Sequence, residues 1–119
     1  MTEQQPEVHV RAVPIPVDPA EPVVVGTVDA SPAGRCAAVG GAQPEALPLD
    51  AGTTMFLDGY GKAKRLPRNS RATGLADAMR PGFARHDLVA GRALVVGSDK
   101  DSGKPVDVGD DVVRSVPTS

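Results

Sequence analysis

The chain has 119 residues, enough for one domain and too few for a barrel enzyme or a two-domain cofactor enzyme. Its formal net charge of −2 excludes a global attraction to nucleic acid or membranes, and no apolar run approaches the roughly 20 residues of a membrane span. The content of Leu, Ile, Val and Phe lies just above the roughly 20% floor for folded chains, so we expect a domain with a thin core of valines.

The first strand is predicted from Val8 to Ile15, where apolar and polar residues alternate. Prolines at its end restrict that end to a sheet edge or a strand terminus. A turn follows over residues 17–22, in which Asp18 and Pro19 are typical turn residues. The β-branched run Val23–Val28 predicts a buried strand, and the two strands would form a hairpin.

Ser31 and Pro32 predict a helix start, because a hydroxyl caps the first turn and proline suits the first helical position. Gly40-Gly41 would end this helix. A short strand is predicted over residues 45–49 and another over residues 54–57. Asp58-Gly59-Tyr60-Gly61 then indicates a hairpin, with residues 62–66 as the returning strand.

Asn69 is predicted to cap the clearest helix in the chain. Pro81-Gly82 would end it, residues 94–96 would form a buried strand, and a last hairpin would turn at Gly109-Asp110. The predicted class is α+β, a small, mostly antiparallel sheet of short strands with two helices packed on one face. The helix capped by Asn69 has an apolar stripe formed by Ala72, Leu75, Ala76 and Met79. The strands of the last predicted hairpin contain Val106, Val108, Val112, Val113 and Val116.

The expected organisation is one domain over residues 8–116, with a flexible N-terminus at 1–7 and a frayed tail at 117–119. The start of the chain is polar and acidic, unlike a secretory leader, and the single Cys36 forms no internal disulfide. We therefore expect a cytoplasmic protein.

Charge is distributed unevenly along the chain. Residues 1–60 carry two basic and eight acidic groups, whereas residues 61–92 carry eight basic and two acidic groups. Five of the basic groups fall between Lys62 and Arg71, at the start of the second predicted helix, where backbone N–H groups favour anions. The predicted anion site therefore consists of Lys64, Arg65, Arg68, Asn69 and Arg71. The alternative is a solvated basic face that balances the acidic half of the chain.

Other candidate chemistry is weak. His86-Asp87 has the residue types of a general base and its orienting carboxylate, but adjacent side chains rarely meet and no nucleophile is indicated. His9 and His86 lack zinc-site spacing, and the aspartates between residues 99 and 111 lack the order of a calcium loop. We therefore predict no enzyme activity, no metal and no cofactor. With no Trp, one Tyr and two Phe, the chain also lacks a base-stacking platform, and we expect no sequence-specific nucleic-acid binding.

Four segments carry a family resemblance. They are Val39-Gly40-Gly41, then Met55-Phe56-Leu57-Asp58-Gly59-Tyr60-Gly61-Lys62, then Leu66-Pro67-Arg68-Asn69-Ser70-Arg71-Ala72-Thr73, and then Leu88 to Gly97 with its valine strand. The chain resembles the domain-of-unknown-function family 3846 of phage, plasmid and bacterial genomes, over about Val8 to Val116. The resemblance implies a compact α+β domain and a link to mobile elements. It also points to the basic loop and adds Thr73, one helical turn after Asn69, to the candidate ligand-binding residues.

The predicted function is a non-enzymatic binding module of a mobile element or phage. It would hold an anionic, nucleotide-like ligand or phosphate at the basic loop and the helix N-terminus. The alternative is a structural or regulatory protein-interaction domain, either a homodimer joined through its valine strands or the partner of a host protein.

Overall fold

A computed structural model describes residues 9–117 of the chain. Its sheet has the strand order β2-β1-β5-β4-β3, with β6 paired to β5, and every pair of strands is antiparallel. The expected mostly antiparallel α+β fold is thus confirmed. The strands are β1 (His9–Ile15), β2 (Gly26–Asp29), β3 (Pro44–Asp50), β4 (Thr53–Asp58), β5 (Ala93–Ser98) and β6 (Pro105–Val106), and the helices are α1 (Pro32–Val39), α2 (Ser70–Met79), α3 (Phe83–His86) and α4 (Asp110–Ser115).

The predictions for residues 1–8 and 118–119 lie outside the described residues. They comprise the flexible N-terminus, the start of the first strand at Val8 and most of the frayed tail. Of that tail the structure describes Pro117, which is partly buried.

β5 is the central strand, and its first five residues are all buried. Its side chains alternate between two hydrophobic cores on opposite faces of the sheet, as the pleat requires. A strand covered on both faces is apolar throughout, which explains the continuous valine run. The first core contains Val13, Ile15, Leu49, Met55, Leu57, Ala72, Leu75, Ala76, Val89, Ala93, Val95, Val108 and Val112. The second core contains Val10, Ala12, Ala30, Val39, Phe56, Leu94 and Val96.

The helices lie on both faces of the sheet, which corrects the expectation of two helices on one face. α2 and α4 supply residues to the first core, whereas α1 supplies Val39 to the second. Without α1, the face carrying Leu94 and Val96 would be open to water. A central strand with two apolar faces therefore requires cover on both.

Both predicted helices form with the expected ends. In α1, the Ser31 hydroxyl accepts a hydrogen bond from the Gly34 amide at 3.2 Å, and Gly40 ends the helix with a left-handed φ of +74°. In α2, the Asn69 side chain caps the amide of Ala72, and the helix ends at Met79.

The first hairpin is confirmed, but its second strand is shorter and less buried than predicted. β2 begins at Gly26 and lies at the edge of the sheet, where it pairs with β1 alone. Val23 and Val25 pack against the first core from a non-strand segment, and Val24 is 65% exposed. The run Val23–Val28 is therefore not the buried strand that its β-branched composition predicted.

The predicted returning strand over residues 62–66 is wrong. This segment forms a series of turns, in which Lys64 N–H bonds to Tyr60 O and Leu66 N–H bonds to Gly61 O. β4 already pairs with β3 on one side and β5 on the other, so no position beside it remains for another strand. We refer to residues 59–68 as the basic turn.

The predicted last hairpin is also wrong. β6 has only two residues, and Val112 and Val113 belong to the helix α4, with Val108 before its N-cap and Val116 at its C-cap. Asp110 and Asp111 occupy its first turn, where their charges favour the helix dipole. Val108 and Val112, four residues apart, both enter the first core. The valine spacing that predicted a hairpin therefore belongs to a helix, and to the residue before its cap, that pack on the first core with one side.

Candidate functional site

Asn69, a predicted ligand-binding residue, is fully buried, and its polar side-chain atoms form hydrogen bonds with the protein backbone. Its Nδ2 donates to Ile15 O at 2.9 Å and to Gly91 O at 3.1 Å, and its Oδ1 accepts from the Ala72 amide at 3.0 Å. The side chain thus joins β1, the segment before β5 and the start of α2. It presents no polar atom to solvent.

Arg71 is also buried, with 2% of its surface exposed. Its guanidinium donates to the carbonyls of Pro16, Asp18 and Glu21 at 3.1, 2.8 and 2.7 Å. Its Nε is buried and has no hydrogen-bond partner among the described residues. Arg71 therefore fixes the β1–β2 connection onto α2.

Thr73 completes this internal network. Its Oγ1 donates to Asn69 O at 2.8 Å and accepts from the Val89 amide at 3.0 Å. The hydroxyl is buried and holds the segment before β5 against α2. The start of α2 is therefore occupied by polar groups of the protein itself, which form hydrogen bonds with one another.

The other three predicted residues, Lys64, Arg65 and Arg68, are exposed on the basic turn. Lys64 Nζ lies 2.7 Å from a carboxylate oxygen of the buried Asp58. Arg65 has a positive φ of 58°, which is uncommon for a residue with a side chain. The structure thus divides the six predicted residues into a buried structural set and an exposed basic set.

A groove runs from the basic turn along the edge strand β3 to α3. A narrow cavity beside Lys62 lies next to a wide one, since Leu47, Phe83 and Asp87 line both. The wide end has a volume of about 580 Å³. We call the whole feature the basic groove, and its wide end is lined by Leu47, Arg80, Phe83, Arg85, His86 and Asp87.

The end of α2 shapes the wide part of the groove. Gly82 adopts a left-handed φ of +93°, which turns the chain sharply into α3. Phe83 packs partly on the first core, and Arg85 and His86 on the same short helix are exposed. Arg80 Nη1 donates to Pro48 O at 3.2 Å, so this guanidinium is tethered to the end of β3.

Lys62 and Asp87, which both line the narrow cavity, form an ion pair, and Asp87 also lines the wide cavity. The hydrogen bond from Lys62 lowers the pKa of the Asp87 carboxyl below its ordinary value, although desolvation opposes this. The Asp87 carboxylate is therefore paired with Lys62, and within residues 9–117 no hydrogen bond joins this carboxylate to His86. The orientation expected of a His-Asp general base is not formed.

The wide end combines chemical groups that suit an anionic ligand with an apolar part. Arg80 and Arg85 supply guanidinium groups that bind phosphate oxygens in pairs, and Phe83 and Leu47 supply apolar surface. Both arginines belong to the basic middle segment of the sequence, but the predicted site lay at the denser Lys62–Arg71 run. The missed signal is that Arg80 and Arg85 flank the Pro81-Gly82 turn.

Two further kinds of site are absent from residues 9–117. No helix there is long and apolar enough to cross a membrane. No three His, Cys, Asp or Glu side chains in that range are grouped so that they could hold a metal ion.

The fold and the groove define a small α+β domain with a basic side. The family model described as Domain of unknown function (DUF3846) matches residues 12–118, and the chain belongs to this family. Neither the curated proteins nor the solved structures include a significant match.

The buried Asp58 gives a pH-dependent prediction. Its hydrogen bond from Lys64 and the bond from the Tyr60 amide hold its pKa below the ordinary value of about 3.9. A lowered folded-state pKa contributes stability above the unfolded value, and this contribution is lost as the pH falls through the folded value. We expect Asp58→Asn to lower the free energy of unfolding by about 2 kcal/mol at pH 7, and this cost should shrink as the pH falls from about 3.9 through the lowered folded-state value.

Urea titrations at several pH values measure this difference. Asp101→Asn, at an exposed carboxylate without an ion pair in the described part of the chain, is the matched control and should change little. A constant cost of Asp58→Asn from pH 7 to pH 3 would show that the carboxylate charge is not responsible.

Proposed function

We propose that this domain is a non-enzymatic binding module that holds an anionic, nucleotide-like ligand in the basic groove. The observation that carries the proposal is the convergence of Arg80 and Arg85 on one cavity that also has Phe83 in its wall. Its volume of about 580 Å³ falls within the usual range of roughly 300–1,000 Å³ for small-molecule sites.

The groups of the groove suggest how such a ligand would bind. Phosphate oxygens would lie between the guanidinium groups of Arg80 and Arg85, and a base or another flat apolar group would contact Phe83 and Leu47. The end of α2 contributes carbonyl groups, which repel anions. The attraction therefore rests on the side-chain charges, so reversing those charges should abolish binding.

This proposal moves the ligand from the start of α2 to its end. Asn69, Arg71 and Thr73 then act as scaffold, because their polar groups already bind the protein backbone. Arg65 and Arg68 remain exposed at the other side of the basic turn and extend the positive surface. Long anions, such as DNA backbones, would also contact them, with a steep dependence on salt.

The cellular setting is part of the proposal. The family resemblance supports a protein of a phage, plasmid or related mobile element, where binding a nucleotide-derived signal would serve against host defence. The single Cys36 supports a cytoplasmic protein.

Thermal melting with a ligand panel tests the proposed function directly. The panel contains mononucleotides, cyclic nucleotides, cyclic dinucleotides, ADP-ribose and short DNA, each at low and moderate salt. A ligand at about 100 times its Kd adds roughly 2.7 kcal/mol of stability, which is a rise of about 10 °C for a domain of this size. A shift with one small-molecule class supports the proposal, and no shift with any member contradicts it.

Charge reversal locates the site. We expect Arg80→Glu/Arg85→Glu to fold, since both side chains are exposed and, among the described residues, only the hydrogen bond from Arg80 to Pro48 O is lost, and to lose the ligand-induced shift. Lys100→Glu/Lys104→Glu, on an exposed loop away from the groove, is the matched control and should keep the shift. If Arg65→Glu/Arg68→Glu abolishes the shift and the groove variant does not, the ligand binds at the basic turn instead.

A further inference from the structure

The two edges of the sheet differ in how they resist pairing with another chain. The edge strand β3 carries Pro44 and Pro48, which cannot donate backbone hydrogen bonds to a new strand. The other edge, β2, and the residues just before it form the run Val23–Val28, which contains neither proline nor lysine. Open edges of this kind are where chains add to one another.

An apolar groove lies beside the β2 edge, and its volume is about 430 Å³. It passes between the end of β1 and α1, with Val28 in its wall. Glu21 and Arg92, of opposite charge, also line it, and neither forms an ion pair with another described residue. We call this feature the edge groove, and its apolar lining includes Pro14, Pro16, Val28, Ala37 and Ala38.

Val24, in the non-strand segment just before β2, is an apolar side chain presented to solvent. It is 65% exposed, more than the other large exposed apolar residues, while Val23 and Val25 on either side pack against the first core. Two residues further on, at Gly26, a side chain would meet open space. A projecting valine therefore precedes β2, and the groove of apolar lining includes Val28 of β2.

We propose that a second copy of this chain occupies the β2 edge and forms a two-fold symmetric dimer. Val24 of one protomer would enter the edge groove of its partner, and Glu21 would face Arg92 across the interface. A two-fold interface uses one surface twice, so that surface must contain both members of each complementary pair. The β2 edge meets this requirement in shape, through Val24 and the groove, and in charge, through Glu21 and Arg92.

The proposed dimer leaves the basic groove free. That groove is lined by β3, which is the opposite edge of the sheet from β2. Dimerisation and ligand binding are therefore independent, and each can be tested without the other.

Sedimentation of the full chain over a range of concentrations tests the dimer. We expect a mass of twice 12.2 kDa for the wild type. Val24→Glu should raise the dimer dissociation constant by at least about 30-fold, as for a central interface residue, with an unchanged melting temperature at monomeric concentrations. Val106→Glu, at another exposed valine on β6, is the matched control and should remain dimeric.

Charge exchange tests the orientation of the two copies. Glu21→Arg and Arg92→Glu should each weaken the dimer, and the double variant should restore it because the pair is rebuilt with reversed signs. A 12.2 kDa monomer at millimolar concentration would overturn the proposal. A wild-type dimer that is insensitive to Val24→Glu and to both charge reversals would overturn this interface.

Discussion

Asn69→Ala is expected to lower the free energy of unfolding by about 3 kcal/mol and the melting temperature by about 10–15 °C. The loss of the helix cap alone costs about 1 kcal/mol. The remainder arises because the carbonyls of Ile15 and Gly91 lose their donor in a fully buried site.

Two further variants separate these contributions. Asn69→Asp keeps an oxygen for the Ala72 amide but loses the donor for the carbonyls, so it should remain strongly destabilised. Ser70→Ala, at the exposed next position, should change stability by less than about 0.5 kcal/mol. A cost of Asn69→Ala near 1 kcal/mol would mean that the residue serves only as a cap.

Arg71→Met is expected to destabilise the domain by about 3 kcal/mol, although methionine fills similar apolar space. Three carbonyls of the β1–β2 connection lose hydrogen bonds from a charged donor. Arg71→Lys should recover less than half of this loss, because a single ammonium group does not reproduce the planar guanidinium fork.

Hydrogen exchange gives a local readout of the same variant. The amides of Ala20 and Glu21 bond to Asp18 within the connection, and we expect them to exchange faster when Arg71 is replaced. Arg68→Met, at an exposed arginine three residues earlier, is the control. Unchanged exchange at both amides in Arg71→Met would show that the connection is held by other contacts.

These two predictions also bear on the ligand site. The predicted anion site included Asn69 and Arg71 together with their exposed neighbours because all of them lie near one helix start. In the structure their polar atoms point into the protein, toward segments up to 55 positions away along the chain. Distance along the chain does not distinguish a guanidinium that binds backbone carbonyls from one that faces solvent.

Local sequence signals correctly predicted the elements whose ends or burial depend on neighbouring residues alone. Ser31-Pro32 with Gly40, and Asn69 with Pro81-Gly82, define α1 and α2 because a cap and a terminator act within one helical turn. The valine run at Leu94–Val96 identified the central strand, because a strand buried on both faces must be apolar at every position.

The errors fall where a distant partner decides the outcome. Residues 62–66 do not form a strand because β3 and β5 already occupy both sides of β4. Val112 and Val113 lie in a helix rather than a strand, and Val112 reaches the first core together with Val108 just before the helix. The composition and capping residues by themselves determined the α+β class, the two longest helices and the basic middle segment. Only the tertiary structure decided which basic residues face solvent, because burial and hydrogen bonding depend on segments that are far apart in sequence and adjacent in space.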